Sequence, residues 1–221
     1  MSTTASTTPP DVPRRIPTQA RSRRRVEAVL DAAAGLVVAT GVETLTTRDI
    51  AAAAHVPVAS IYQYFADKDA VLLALAARDM EEMDDQVASD LLALARGREG
   101  LGSLGVADVV RTAMTSFVAV YHRRRAFVEI YLRGRTNAAV HAFGREHNAR
   151  IADDLLAFAR DVGIAGPDLT RTRVALAVEV GDRVFQLAFE TDPAGDAAIL
   201  EEGIVMMTAY LERHAVQAVA R

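Results

Sequence analysis

Thr46-Thr47-Arg48-Asp49-Ile50-Ala51 opens a helix, with Thr46 as N-cap and Asp49 three residues on, the spacing of a capping box. About two turns later the chain meets His55-Val56-Pro57, and proline interrupts helical hydrogen bonding there. A second helix starts at once with Val58-Ala59-Ser60-Ile61-Tyr62-Gln63-Tyr64-Phe65. Helices of about 47–54 and 58–64 are too short to persist alone, because nucleation is costly and few hydrogen bonds follow it. Each must be held by its apolar side. Ile50, Ala54, Val56, Ile61 and Phe65 can pack on Val26, Leu30 and Val37 of the preceding helix. Two short helices joined by a turn of about four residues make a helix-turn-helix unit.

The rest of the chain offers more helices. Alanine, the best helix former, supplies 42 of the 221 residues against 13 glycines, 7 prolines and 12 aromatics, which favours helices over a sandwich or barrel. From Arg21, the residues Val26, Val29, Leu30, Ala33, Leu36 and Val37 recur at helical spacing, and Thr40-Gly41 ends that helix. A long helix runs from Lys68 to about residue 95 without glycine or proline, and Gly97, Gly100, Gly102 and Gly105 mark the loop after it. Apolar periodicity continues through about 107–124, 126–133, 136–163, 168–190 and 196–218. No stretch alternates like a strand. The expectation is an all-α chain of about nine helices.

Composition excludes several classes. Without cysteine there is no disulfide, thiolate metal ligand or iron–sulfur cluster. No apolar run reaches the roughly 20 residues of a membrane span, and the first twenty residues hold no signal core. A soluble cytoplasmic protein without a membrane partner is expected. The formal charge of −4 conceals an asymmetry: residues 1–70 carry eight Lys/Arg against seven Asp/Glu, and 71–221 carry seventeen against twenty-two. Arg14, Arg15, Arg21, Arg23, Arg24 and Arg25 fall within twelve residues that include no acid. Such a run is either a solvated tail or an arm that follows phosphate. Lys68 is the single lysine among twenty-five basic residues.

At 100° per residue Ile61 and Phe65 share one side of the second short helix, and Ala59, Ser60, Tyr62 and Gln63 face the other way. Small, hydroxyl, phenol and carboxamide groups suit a major groove, where they can approach closely and hydrogen-bond base edges or phosphates. Geometry alone fits an ordinary helical hairpin as well. The stretch from Arg21 to Leu73, however, resembles the DNA-binding domain of TetR-family transcriptional regulators. The likeness lies in the basic start of the first helix, in Thr-Thr-Arg-Asp-Ile-Ala at 46–51, and in Val56-Pro57-Val58-Ala59-Ser60-Ile61-Tyr62-Gln63-Tyr64-Phe65-Ala66-Asp67-Lys68. Its most specific part is Tyr64-Phe65 with a lysine three residues after the phenylalanine. Two positions depart from the family pattern. His55 stands where glycine is common, and Pro57 where a serine cap is common. Histidine tolerates the left-handed conformation and proline fits a helix start. His55 is read as a turn residue, with a phosphate contact as the alternative.

The resemblance implies a disordered basic arm at 1–20, a three-helix DNA-binding domain with helix-turn-helix at 21–67, and a helical effector-binding and dimerisation domain at 68–221. It implies a ligand-responsive regulator, most simply a repressor, that binds a palindromic double-stranded DNA operator as a homodimer and is released by a small-molecule effector. Thr47, Ser60, Tyr64 and Lys68 would grip phosphates. Lys68 would sit just after Asp67, the N-cap of the fourth helix, where its charge joins the helix N-terminus. Arg48, Val58, Tyr62 and Gln63 would face base edges, Arg48 reading guanine and Gln63 adenine, with Ala59 permitting close approach.

For the effector the candidates are Phe117, Tyr121, Phe127, Tyr131, Phe158 and Phe185, with His147, Arg111 and Arg133 as polar groups. An aromatic stripe of this kind also describes plain core. Val174, Val178, Phe185 and Phe189 with Ile199, Val205, Met206 and Tyr210 offer a dimer interface through the last two long helices. No enzyme, cofactor or metal is expected. His141 and His147 are six residues apart and do not share a helix face, and no nucleophile elbow, phosphate loop or dinucleotide fingerprint occurs. The competing reading is a helical small-molecule carrier without DNA-binding activity, against which the intact 46–68 motif stands.

Overall fold

The computed structural model describes residues 18–97, 104–134 and 138–215. Among them the order is α1 (Thr18–Thr40), α2 (Thr47–Ala53), α3 (Val58–Ile61), α4 (Lys68–Gly97), α5 (Val106–Arg123), α6 (Arg125–Phe127, running on as a π turn over Val128–Leu132), α7 (Ala138–Asp161), α8 (Arg171–Phe189) and α9 (Ala197–Glu212). These residues hold no strand, only an isolated antiparallel bridge between Ala165 and Ala215. No described helix is long and apolar enough to cross a membrane. The expected arm up to residue 17, with Arg14 and Arg15, lies outside the described residues. So do Gly100, Gly102 and the expected helical tail beyond 215. α1 begins at Thr18, so Arg21, Arg23, Arg24 and Arg25 are exposed positions on its first turns rather than the continuation of an arm.

The N-terminal helices form where the local signals put them. Thr46 is extended (φ −125°, ψ 154°) and accepts the Asp49 N–H at 3.2 Å, while its hydroxyl donates to Asp49 Oδ2 at 2.6 Å. His55 takes φ +54°, the left-handed turn conformation expected of it. Pro57 caps α3 with φ −60° and ψ 141°. α3 itself is shorter than the sequence suggests. The N–H groups of Tyr64 and Phe65 both return to the Ile61 carbonyl at 2.9 Å, and this tightening swings Phe65 into the core beside Ile61. Asp67 Oδ1 then accepts the Ala70 N–H at 2.8 Å and opens α4.

One core runs from Val29, Leu30, Val37, Ile50 and Ile61 through Val71, Leu72 and Leu75 of α4 into the C-terminal helices. α4 packs on α5 and α7, α7 on α8, α8 on α9, and α9 back on α5, which closes a ring of helices around a cavity. Gly203 lets α8 and α9 close up: a Cβ there would meet Val184 Cγ1 at 2.5 Å. α1 touches both α4 and the α6–π segment. Polar clamps hold this junction. Arg78 of α4 reaches Asp31 at 2.8 Å and Glu27 at 3.2 Å on α1, and Arg124, before α6, donates from Nε to Glu82 at 2.6 Å.

Candidate nucleic-acid interface and effector cavity

The buried sides of α2 and α3 are used up by Ile50, Ala51 and Ile61, so their other sides must face outward. Arg48, Ala59, Tyr62 and Gln63 are exposed, and Thr47, Ser60 and Lys68 are half-buried. Thr47 Oγ1 and Tyr62 Oη share a hydrogen bond of 3.1 Å across the two helices. Tyr64 and Val58 are half-buried as well. Both pack against the core, and Ser22 of α1 donates to Tyr64 Oη at 3.2 Å. Tyr64 therefore orients α1 against the α3 end as well as showing a phenol edge. Lys68 stands on the first turn of α4, and among the described residues its ammonium has no ion pair. The result is one surface of hydroxyls, a carboxamide and free cations above a fixed apolar base.

The cavity, about 120 Å³, lies among α4, α5, the α6–π segment, α7, α8 and α9. Of the nine expected effector residues, Phe117, Tyr121, Phe127, Tyr131, His147 and Phe185 line it. The rings pack on one another, with Tyr121 stacked on Phe127 at 5.8 Å and edge-on to Phe185 at 5.1 Å. Phe158 does not line the cavity. The lining stripe of α7 is Asn148, Ile151, Leu155 and Ala159, and Phe158 turns instead toward Val87, Leu91, Leu104 and Val109 in a separate apolar cluster. Arg111 and Arg133 are not cavity groups either. Arg111 grips Glu201 on the surface (2.8 and 2.6 Å), and Arg133 pairs with Glu129 at 2.5 Å.

Polar groups missed in the sequence complete the lining. Asp182 Oδ2 accepts from Tyr131 Oη at 3.2 Å and from Gln186 Nε2 at 2.8 Å. Burial, aided by Glu179 one turn earlier, holds the Asp182 carboxyl above the usual carboxylate range. Burial and the nearby Asp182 charge likewise push the Tyr131 and Tyr121 phenols up. His147 is buried with Nε2 2.6 Å from Asp84 Oδ1, and His141 Nε2 lies 2.9 Å from the Gly134 carbonyl, so the two histidines serve different partners. Gly144 is required beneath Tyr131, because a Cβ there would overlap its ring. Asp182 had a readable signal: it falls on the apolar stripe between Val178 and Phe185, four residues after one and three before the other.

The expected dimer residues divide. Val174, Phe185 and Phe189 are buried within the chain's own core, because that side of α8 faces the ring of helices. What α8 and α9 leave outside is Leu176, Leu187, Val205 and Met206, each 40–53% exposed.

A family model described as bacterial regulatory proteins, tetR family, matches residues 29–75, and one described as a tetracyclin repressor-like C-terminal domain matches residues 104–215. A crystal structure of a TetR-family transcriptional regulator from Streptomyces coelicolor is 29% identical, with 86% of this chain and 99% of that one covered and a TM-score of 0.65. The fatty acid degradation regulator FadR from Bacillus halodurans shares the fold at 17% identity, covering 83% and 94% with a TM-score of 0.63. RolR in complex with resorcinol does so at 16%, covering 92% and 98% with a TM-score of 0.60. No curated protein sequence matches the chain.

Proposed function

The chain belongs to the TetR family of bacterial regulatory proteins, and from that premise we propose that it represses transcription as a homodimer on a palindromic operator until a small molecule fills its cavity. It is a ligand-responsive DNA-binding transcriptional regulator. The observation that carries the operator-binding reading is the outward side of α2 and α3, where Arg48, Ala59, Tyr62 and Gln63 are free of the core while Ile50 and Ile61 anchor both helices. Arg48 and Gln63 read base edges, Thr47, Ser60 and Lys68 hold phosphates, and Tyr62 works through its bond to Thr47. The protein acts in the cytoplasm, where operator DNA is found.

Two α3 helices on a two-fold axis must lie about 34–36 Å apart to enter successive major grooves. The exposed apolar residues of α8 and α9 supply the dimer surface, as a four-helix arrangement across the axis. α4 runs from Lys68 past Met80 and Met83 of the cavity wall, so it carries a displacement there to the DNA end. Phe127 and Tyr131 offer a second route, since their α6–π segment lines the cavity and touches α1. An effector that prefers the wide-spaced state a hundredfold supplies about 2.7 kcal/mol per site. Effector and operator then oppose one another reciprocally.

The test is selection of bound fragments from sheared genomic DNA by the full chain, followed by titration of the enriched site. A single palindromic motif should emerge. Lys68→Ala should weaken binding to all sequences and lower the salt slope by about one charge, while Gln63→Ala should relax one position per half-site at a cost of about 1–3 kcal/mol. No enriched motif, or a Lys68→Ala variant with unchanged affinity and salt slope, refutes the reading.

A further inference from the structure

The cavity carries an acid and no base to answer it. Its walls are mostly aromatic and aliphatic, no arginine or lysine among the described residues lines it, and the one basic side chain that does, His147, is already held by Asp84. Asp182 stands in this wall with both of its protein hydrogen bonds, from Tyr131 and Gln186, on Oδ2, while Oδ1 accepts nothing from the described residues. Glu179 adds negative potential from one turn away, and His141, which tempers it, lines the neighbouring groove rather than this cavity. Tyr121 is a second, independent observation. Its side chain is only 4% exposed and lines the cavity, and its hydroxyl makes none of the side-chain hydrogen bonds seen among the described residues. A hydroxyl and a carboxylate oxygen on residues that line the cavity, neither with a protein hydrogen bond among the described residues, can both be met by donors on a ligand.

The geometry points to a compact, largely apolar amine as the ligand, with its ammonium on Asp182 Oδ1 and the Tyr121 hydroxyl oxygen and its hydrocarbon among Phe117, Phe127 and Phe185. This rests on reading the cavity as the effector site and names the chemistry that site selects. An ammonium satisfies two acceptors at once, gains a charge-assisted hydrogen bond, and sits against ring faces that attract cations. A carboxylate or phosphate would face Asp182 without a counter-charge. A plain hydrocarbon would leave both oxygens desolvated, and an alcohol would donate one hydrogen bond without neutralising the charge. Size is bounded by the volume: about 120 Å³ is less than the roughly 150 Å³ of a dry cavity that accommodates benzene, so the part of the ligand held inside is about one ring at most.

The experiment uses the full chain without DNA and three probes of one shape: benzylamine, benzyl alcohol and benzoate, titrated calorimetrically at neutral pH. Benzylamine should bind at least tenfold more tightly than benzyl alcohol, and benzoate should not bind. Asp182→Asn should remove the preference for the amine while benzyl alcohol still binds. Tyr121→Phe, which leaves Asp182 in place, should weaken the amine several-fold, so a folding defect in one variant does not decide the outcome. Absence of benzylamine binding, binding of benzoate as tight as that of the amine, or an amine preference that survives Asp182→Asn overturns the proposal. Operator release by the bound amine is scored separately: failure there refutes the effector reading and leaves the amine site intact, and failure of amine binding leaves DNA recognition intact.

Discussion

Asp79 sits in the middle of α4 at 1% exposure, on the same apolar stripe as Leu72, Leu75 and Met83. Arg78 Nε and Arg124 Nε lie 3.5 and 3.7 Å from its Oδ1, but neither makes an aligned hydrogen bond, and that oxygen is unpartnered. Burial raises the Asp79 pKa from 3.8 to about 6, against the opposing pull of the two arginines and with a small push from Glu82. The folded protein therefore holds this proton more tightly than the unfolded chain does. Stability contributed here is greatest below pH 3.8 and falls as pH rises through the interval up to about 6, above which the whole penalty is present. A pKa difference of about 2.2 corresponds to about 3 kcal/mol at neutral pH.

Asp79→Asn keeps the shape and removes the titration. Its amide also makes contacts of its own beside the arginines, so the stability difference at any one pH mixes two effects. The contact part does not change with pH, and the titration part does. Urea unfolding of parent and variant at equal protomer concentration, at about pH 7.5 and about pH 5, separates them. On the move to pH 5 the parent should gain about 1.4 kcal/mol relative to the variant, the fraction of the linkage integral lying in that interval. A difference that stays flat, or that moves the other way, would mean that the two arginines prevail over burial and that the carboxylate is comfortable where it sits.

Gly144→Ala should displace Tyr131 from Asp182 and cost about 1–3 kcal/mol by overpacking, read from urea unfolding, and adding Tyr131→Phe should recover only part of this, since it removes the hydroxyl contact and leaves the ring carbons in the way. Met206→Glu places a charge on the exposed α8–α9 surface and should convert a species of twice the chain mass to one of single mass in sedimentation; an unchanged dimer would exclude this surface. Ala74→Gly with Ala77→Gly, both half-buried, should loosen α4 between cavity and DNA by about 2 kcal/mol of helix propensity. Ala76 is fully buried and is left alone. Effector-driven release of DNA should weaken more than effector binding does, and release as sharp as the parent's would rule α4 out as the lever.

The helix-turn-helix was legible because its signals are local. Thr46 caps its helix through residues three positions away, His55 turns the chain by its own φ, and Asp67 opens α4 through Ala70. The length of α4 was legible for the same reason, as a run without glycine or proline that ends at Gly97. Periodicity also identified the buried side of α1, where Val29, Leu30, Ala33 and Val37 are sealed.

Sequence alone thus determined which segments are helices, where the recognition unit lies and which of its sides is apolar, since each depends on neighbours within one or two turns. Tertiary structure decided what covers each apolar side. Ser22 meets Tyr64 across 42 residues, Phe158 joins a separate cluster while Leu155 and Ala159 reach the cavity, and Phe185 and Phe189 go inward so that Leu176 and Leu187 are left outside. An aromatic looks the same in sequence whether it fills a core, lines a cavity or meets a partner, because burial is a property of the helices packed around it. Asp182 and Asp79 make the same point with charge: each falls on an apolar stripe that the sequence shows, but the desolvation that raises its carboxyl comes from the helices packed against α8 or α4.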